Sequence, residues 1–256
     1  MSEMTDAIPT SDKLLNVFAE LRRRLLYVVI AIGLGATVGW IFSGDLLRVL
    51  LVPFHSALGA NRALYFTAPH ESFMAHLWLG LMAGLLFAAP YIFLQIWWVA
   101  SPVLYRKRRT TFLVFAMFSA LAFVVGALFG YFGILPAALD FLVKRFEMKE
   151  MFTAMLKISS FMNFSFKLLL VFGLAFELPV LMLLLGRLGV LNARLLWRGF
   201  RYAVVIIVVF AAVLTPPDVI TQVMLAGPML LLYLLGILLV ALFGKRGDHP
   251  VQPPPP

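Results

Sequence analysis

SSFMNFSFKLLLVFGLAFELPVLMLLLG, residues 159–186, carries only two charges, Lys167 and Glu177, in a run that is otherwise mostly apolar. At ~1.5 Å rise per residue its 28 residues make a helix of ~42 Å, enough to cross the ~30 Å hydrocarbon core of a bilayer with tilt to spare. Five more apolar runs flank it, at 25–42, 73–100, 112–135, 200–214 and 219–243. The chain therefore reads as an all-α polytopic membrane protein with six transmembrane helices. Composition agrees: 62% of the 256 residues are apolar and 13% are charged, against about 25% charged in soluble domains. Lipid is the solvent for much of this surface.

The segments divide as a cytoplasmic N-terminal stretch (1–24), a six-helix transmembrane domain (25–243) and a cytoplasmic tail (244–256). The polar lead Met1 to Asp12 and the tail ending Pro253 to Pro256 read as disordered. Arg22-Arg23-Arg24 precedes an apolar run too long for a signal h-region and no A-x-A site closes it, so the first span is expected to stay uncleaved. The fifth run spans ~22 Å, shorter than the core it must cross, and predicts little tilt or a locally thin bilayer.

Orientation follows from the basic residues. With the N-terminus in the cytoplasm, that side collects fourteen Lys and Arg (13, 22–24, 106–109, 187, 194, 198, 201, 245, 246) and the other side six (48, 62, 144, 145, 149, 157). The positive-inside rule then puts both termini in the cytoplasm. The net charge of +9 fits loops facing anionic lipid, and nucleic acid is not expected as a partner because no soluble domain carries the charge.

Chemistry is sparse. There is no cysteine, so disulfides and thiolate metal sites are excluded. His70-Glu71 is followed by His76, a spacing of six where two zinc-binding histidines on one helical face need four. No nucleophile motif, phosphate loop or paired aspartates occur, and no enzyme, cofactor or metal is expected. Gly35/Gly39, Gly80/Gly84 and Gly126/Gly130 are small-xxx-small pairs that let helices approach. Spans 1–3 and 4–6 show no internal repeat of the kind many transporters carry.

Glu177 is costly in lipid and lies two residues before Pro179, where a helix loses a hydrogen bond; a wet concavity or partner helix beside it is expected. Lys167, two turns into its span, is expected to snorkel outward. Thr215-Pro216-Pro217-Asp218 reads as a helix start, with Thr215 as N-cap and Asp218 completing a capping box. Gln222 sits one turn beyond Asp218 on the same face.

AELRRRLL (19–26), AAPYIFLQIWWVASPVLY (88–105), FGLAFELPV (172–180) and LTPPDVITQ (214–222) resemble the signature stretches of TatC, the polytopic subunit of the twin-arginine protein translocase. The resemblance implies a cupped six-helix receptor in the bacterial inner membrane that binds twin-arginine signal peptides of folded proteins. It further implies single-span TatB-like and TatA-like partners in an oligomeric complex, with export driven by the proton motive force. By the same resemblance Glu20, Arg22 and Arg24 are signal-binding residues, and Glu177, Thr215, Gln222 and Asp218 are intramembrane polar or partner-docking residues. Pro53 and Gln95 also match family positions.

Three positions depart from the family pattern: Val17 where a histidine is usual, Val99 where an aromatic is usual, and Arg108 where a glutamate is usual. All three fall on the expected signal-binding face and predict weaker recognition of an arginine pair. Two other readings fit the same residues, a proton-coupled small-molecule transporter using Glu177 and a TatC paralogue that has lost signal binding.

Overall fold

The computed structural model describes residues 10–59, 64–66, 68–104, 109–144, 156–214 and 219–244. Its helices are α1 (Thr10–Ile41), α2 (Ser43–Leu58), α3 (Pro69–Leu104), α4 (Arg109–Phe129), α5 (Leu135–Lys144), α6 (Ile158–Arg187), α7 (Ala193–Leu214) and α8 (Val219–Phe243), with a π-helical turn at Gly130–Ile134 joining α4 to α5. Six are long and apolar enough to span a membrane: α1, α3, α4 with its continuation, α6, α7 and α8.

Two boundaries differ from the sequence reading. α1 is helical from Thr10, so the last residues of the expected disordered lead are ordered; residues 1–9 and 245–256 lie outside the described residues. The fifth span is Ala193–Leu214 and not 200–214. Arg194, Arg198 and Arg201 stand at i, i+4 and i+7, so they line one side of α7 and extend it without interrupting its apolar face. At 22 residues the helix is ~33 Å long, and neither exceptional geometry nor bilayer thinning is needed.

Glycines set the packing. A methyl group on Gly35 would lie 2.9 Å from the Gly84 Cα, and one on Gly39 would lie 2.9 Å from the Gly80 carbonyl oxygen. The first two glycine pairs thus face one another across an antiparallel α1–α3 seam at backbone contact, where van der Waals packing is the cohesive force in lipid. Gly126 meets Phe172 and Phe176 in the same way, so α4 and α6 are also antiparallel. Gly186 abuts Val240 while Gly236 abuts Met182, which makes α6 and α8 parallel. The Tyr233 hydroxyl donates to the Leu196 carbonyl at 2.9 Å, fixing α7 antiparallel to α8.

These directions gather the start of α1, the end of α3, the start of α4 and the α6–α7 turn on one face, which carries most of the basic residues. The opposite face is built from α2, too short to span, and from α5, the end of the third span, neither of which the sequence reading anticipated. Phe54 on α2 is fully buried, with its ring 5.2 Å from that of Phe161 on α6. Leu135, Ala138, Phe172 and Leu225 complete a core lying mainly in this half of the molecule.

Two strapping contacts close the same face. The Tyr65 amide donates to the Leu156 carbonyl at 3.0 Å and the Ile158 amide to the Tyr65 carbonyl at 2.9 Å. Beside them Lys157 Nζ lies 2.5 Å from Glu71 Oε1. Loops 91 residues apart are thereby locked together, and Glu71, whose neighbours His70 and His76 have the wrong spacing for a zinc pair, acts in an ion pair. No group of three or more metal-ligating side chains occurs among the described residues.

Candidate functional site: a basic-face joint and a buried carboxylate

The basic face carries one side-chain network that bridges two spans. Glu20 and Arg24 are one turn apart on α1, with the acid N-terminal to the base, the favourable order on a helix. Arg24 Nε and Nη2 donate to the same oxygen, Glu20 Oε1, at 3.0 and 2.5 Å. Its remaining arm, Nη1, donates to Gln95 Oε1 on α3 at 3.0 Å. The Arg24 side chain is 13% exposed and that of Glu20 is 45% exposed. An exposed i, i+4 pair is worth only ~0.3–0.5 kcal/mol, so the network matters for where it holds the carboxylate more than for stability. Arg22 is exposed on the same helix and no ion pair to it is found among the described residues.

Val17 and Val99 lie on α1 and α3, but the packing of their side chains, like all of Arg108, falls outside the described residues.

Of the two surroundings expected for Glu177, a wet concavity or another helix, the structure shows a neighbouring helix. Glu177 is 3% exposed and receives a hydrogen bond from the Ser119 hydroxyl on α4, itself 1% exposed. Its other oxygen, Oε1, accepts no hydrogen bond among the described residues. The molecule does have a large concavity, about 850 Å³, between α2, α3, α4 and α6. That cup is lined mostly by apolar groups such as Leu50, Trp78, Phe87, Tyr131 and Phe166, with Glu71 among them. Glu177 is not among its lining residues; Phe123 is, and its ring packs on Gly173, one turn from Glu177. Lys167 is exposed on α6, as snorkelling requires.

Of the expected polar patch, Gln222 is not brought to Glu177. The α6–α8 register pairs Gly186 with Val240 and Met182 with Gly236, which sets Gln222 at the level of Leu168. That is nine residues, or ~14 Å along the axis, from Glu177. The Gln222 amide instead donates to the Val208 carbonyl at 3.0 Å and ties α8 to α7. Thr215 and Asp218 lie outside the described residues.

The Ser119–Glu177 bond escaped sequence reading because a single serine in an apolar run is unremarkable, and only the antiparallel α4–α6 register sets it opposite the acid. Removing the hydroxyl leaves a buried carboxyl with neither oxygen bonded, which costs about 1–3 kcal/mol. Ser119→Ala should therefore lower the thermal midpoint in detergent, whereas Ser119→Ala combined with Glu177→Met should recover most of the loss, since both polar partners are then gone. A double variant as unstable as Ser119→Ala alone would show that the pair is not what Ser119 contributes.

The sequence signature described as "Sec-independent protein translocase protein (TatC)" matches residues 16–228. The chain belongs to the TatC family. A TatC of Desulforapulum autotrophicum is 35% identical over 229 residues, covering 90% of this chain and 84% of that protein. A TatC of Koribacter versatilis is 34% identical over 222 residues, covering 85% and 81%. Among solved structures, the crystal structure titled "Twin Arginine Translocase Receptor- TatC" superposes with a TM-score of 0.79 at 33% identity, covering 88% of this chain and 97% of that one. The six spans and the cup are thus a TatC architecture, and the family is one of multi-pass protein-translocase components.

Proposed function

We propose that this chain is the receptor and core subunit of a twin-arginine translocase, and that it works without catalysing a covalent reaction. The observation that carries the reading is the Glu20–Arg24–Gln95 joint, which presents a half-exposed carboxylate between two spans on the basic face. A guanidinium presents planar, directional N–H donors to a carboxylate oxygen, which an ammonium, a rotatable point charge, cannot copy. Arg22 flanks it. The apolar remainder of a signal peptide would find apolar helix surface beside the joint, where Leu21 and Leu25 are exposed.

TatB-like and TatA-like single-span partners fit α7 and α8. Along α7 Val205, Ile206, Val209 and Val213 are all more than half exposed, and Gln222 ties the start of α8 to the same stretch of α7 through Val208. Anionic lipid suits the basic face, and the proton motive force supplies the energy. The transporter reading is weaker because Glu177, its proton carrier, is buried and is not among the residues that line the cup.

Both termini lie in the cytoplasm on this proposal, as the fourteen-to-six basic asymmetry requires. Reporter fusions after Ala60 and after Glu150 should both report the outer side of the membrane; a cytoplasmic signal from either would sink the topology. The receptor role is tested by co-purification with a twin-arginine precursor and with the same precursor carrying a lysine pair. Retention of the first and loss of the second is the expected result, and equal retention would contradict it.

A further inference from the structure

The joint on the basic face contains a residue whose place in it comes from neither charge nor exposure. Gln95 is neutral, half-buried and 71 residues from its partner, yet it holds the one Arg24 arm that Glu20 does not. We propose that Gln95 is the positioning residue of arginine-pair recognition: by anchoring the Arg24 guanidinium to α3 it fixes the Glu20 carboxylate in one orientation, with an oxygen left for the incoming guanidinium. This rests on the reading of Glu20 as the carboxylate that receives the signal.

The geometry carries the argument. Both donors of Arg24 that reach Glu20 fall on Oε1, and among the described residues Oε2 accepts no hydrogen bond. A glutamate on an exposed helix samples several rotamers, and each must be given up when a ligand binds. Here that ordering is done in advance, because the guanidinium is planar and its three arms cannot satisfy Glu20 and Gln95 together in more than a narrow range of poses. The Arg24 charge also offsets that of Glu20, so discrimination depends on the fixed direction of Oε2 and less on net attraction. A second guanidinium, which needs directional acceptors, gains from a fixed oxygen. An ammonium, which interacts as a rotatable point charge, gains little.

Gln95 should therefore control the preference for arginine over lysine and not binding in general. The test uses the full-length protein in detergent and two synthetic signal peptides that differ only in an arginine or a lysine pair. Wild type should prefer the arginine peptide. Gln95→Leu, which keeps size and removes the acceptor, should weaken that peptide by about tenfold, the worth of one hydrogen bond to a charged group, and leave the lysine peptide unchanged. Gln95→Glu keeps an acceptor oxygen in place and should retain the preference. Arg24→Lys, which cannot reach both partners with a planar fork, should lose it as Gln95→Leu does.

An equal loss for both peptides would reveal an ordinary packing role and overturn the proposal. So would an unchanged preference in Gln95→Leu and Arg24→Lys. A wild type with no preference would remove the reading of Glu20 and this inference with it, whereas a preference present in wild type and intact in both variants removes the inference alone.

Discussion

Leucine at position 84 should release α1 from the rest of the protein. A Cβ at Gly84 would stand 2.8 Å from the Ala36 Cα and 2.8 Å from the Ile32 carbonyl oxygen, and both are backbone atoms that cannot swing aside. The two helices would have to separate along a seam that supplies nearly all the packing of α1, the least buried of the six spans. In lipid no hydrophobic force compensates for a lost close approach, because the tails are as apolar as the side chains. Overpacking costs about 1–3 kcal/mol in soluble cores, and a backbone-to-backbone seam belongs at the upper end. A cost of ~3 kcal/mol corresponds to a drop of roughly 6–12 °C in the thermal midpoint for a chain of this size. Gly33 provides the control, since among the described residues no atom beyond its own stretch of helix lies within 4 Å of a Cβ placed there. Gly33→Leu should leave the midpoint within a degree or two of wild type; equal losses at both glycines would mean that helix propensity, not the seam, is being measured. Because the seam also brings Gln95 to Arg24, Gly84→Leu should abolish arginine-pair binding along with stability.

Glu20→Ala is the second large effect. Truncating one partner of a hydrogen-bonded charge pair costs about 2–5 kcal/mol, and the lower end applies to a side chain that is 45% exposed. Affinity for an arginine-pair peptide should fall by about thirtyfold, with a thermal midpoint close to that of wild type because Arg24 keeps its bond to Gln95. Glu3, Asp6 and Asp248 lie outside the described residues, as does the side chain of Asp12. The stretch 102–111 holds four basic residues and no acid, so Arg108→Glu should tighten the same peptide, most visibly at low ionic strength where screening is weak. An unchanged affinity in Glu20→Ala would move recognition to another surface.

The spans and the glycine seams were legible because each is a local property. An apolar run of spanning length or a pair of glycines four apart means the same thing wherever its partner lies. α7 was misjudged at its start because hydropathy along the chain averages over faces, and three arginines on one face looked like an interruption. α2 was missed for the complementary reason: sixteen residues with Asp45, Arg48 and an internal Pro53 resemble a loop when read for membrane spans. Glu20 and Arg24 were singled out by the family resemblance, but the hydrogen bond from Arg24 to Gln95 depends on the α1–α3 register. The same holds for Ser119 against Glu177 and for Lys157 against Glu71. The burial of Glu177 was unreadable on any single helix, since the serine that bonds it lies on α4.

The account stands or falls on whether a signal's arginine pair meets the end of α1. A photo-cross-linking residue in place of Leu21, which is 47% exposed beside Glu20, should form an adduct with a twin-arginine precursor at the residues flanking the pair. The adduct should disappear when the pair is changed to lysine. Adducts of equal yield from both precursors, or a pair that cross-links only from the far end of the molecule at Tyr65, would contradict a receptor built on the Glu20–Arg24–Gln95 joint.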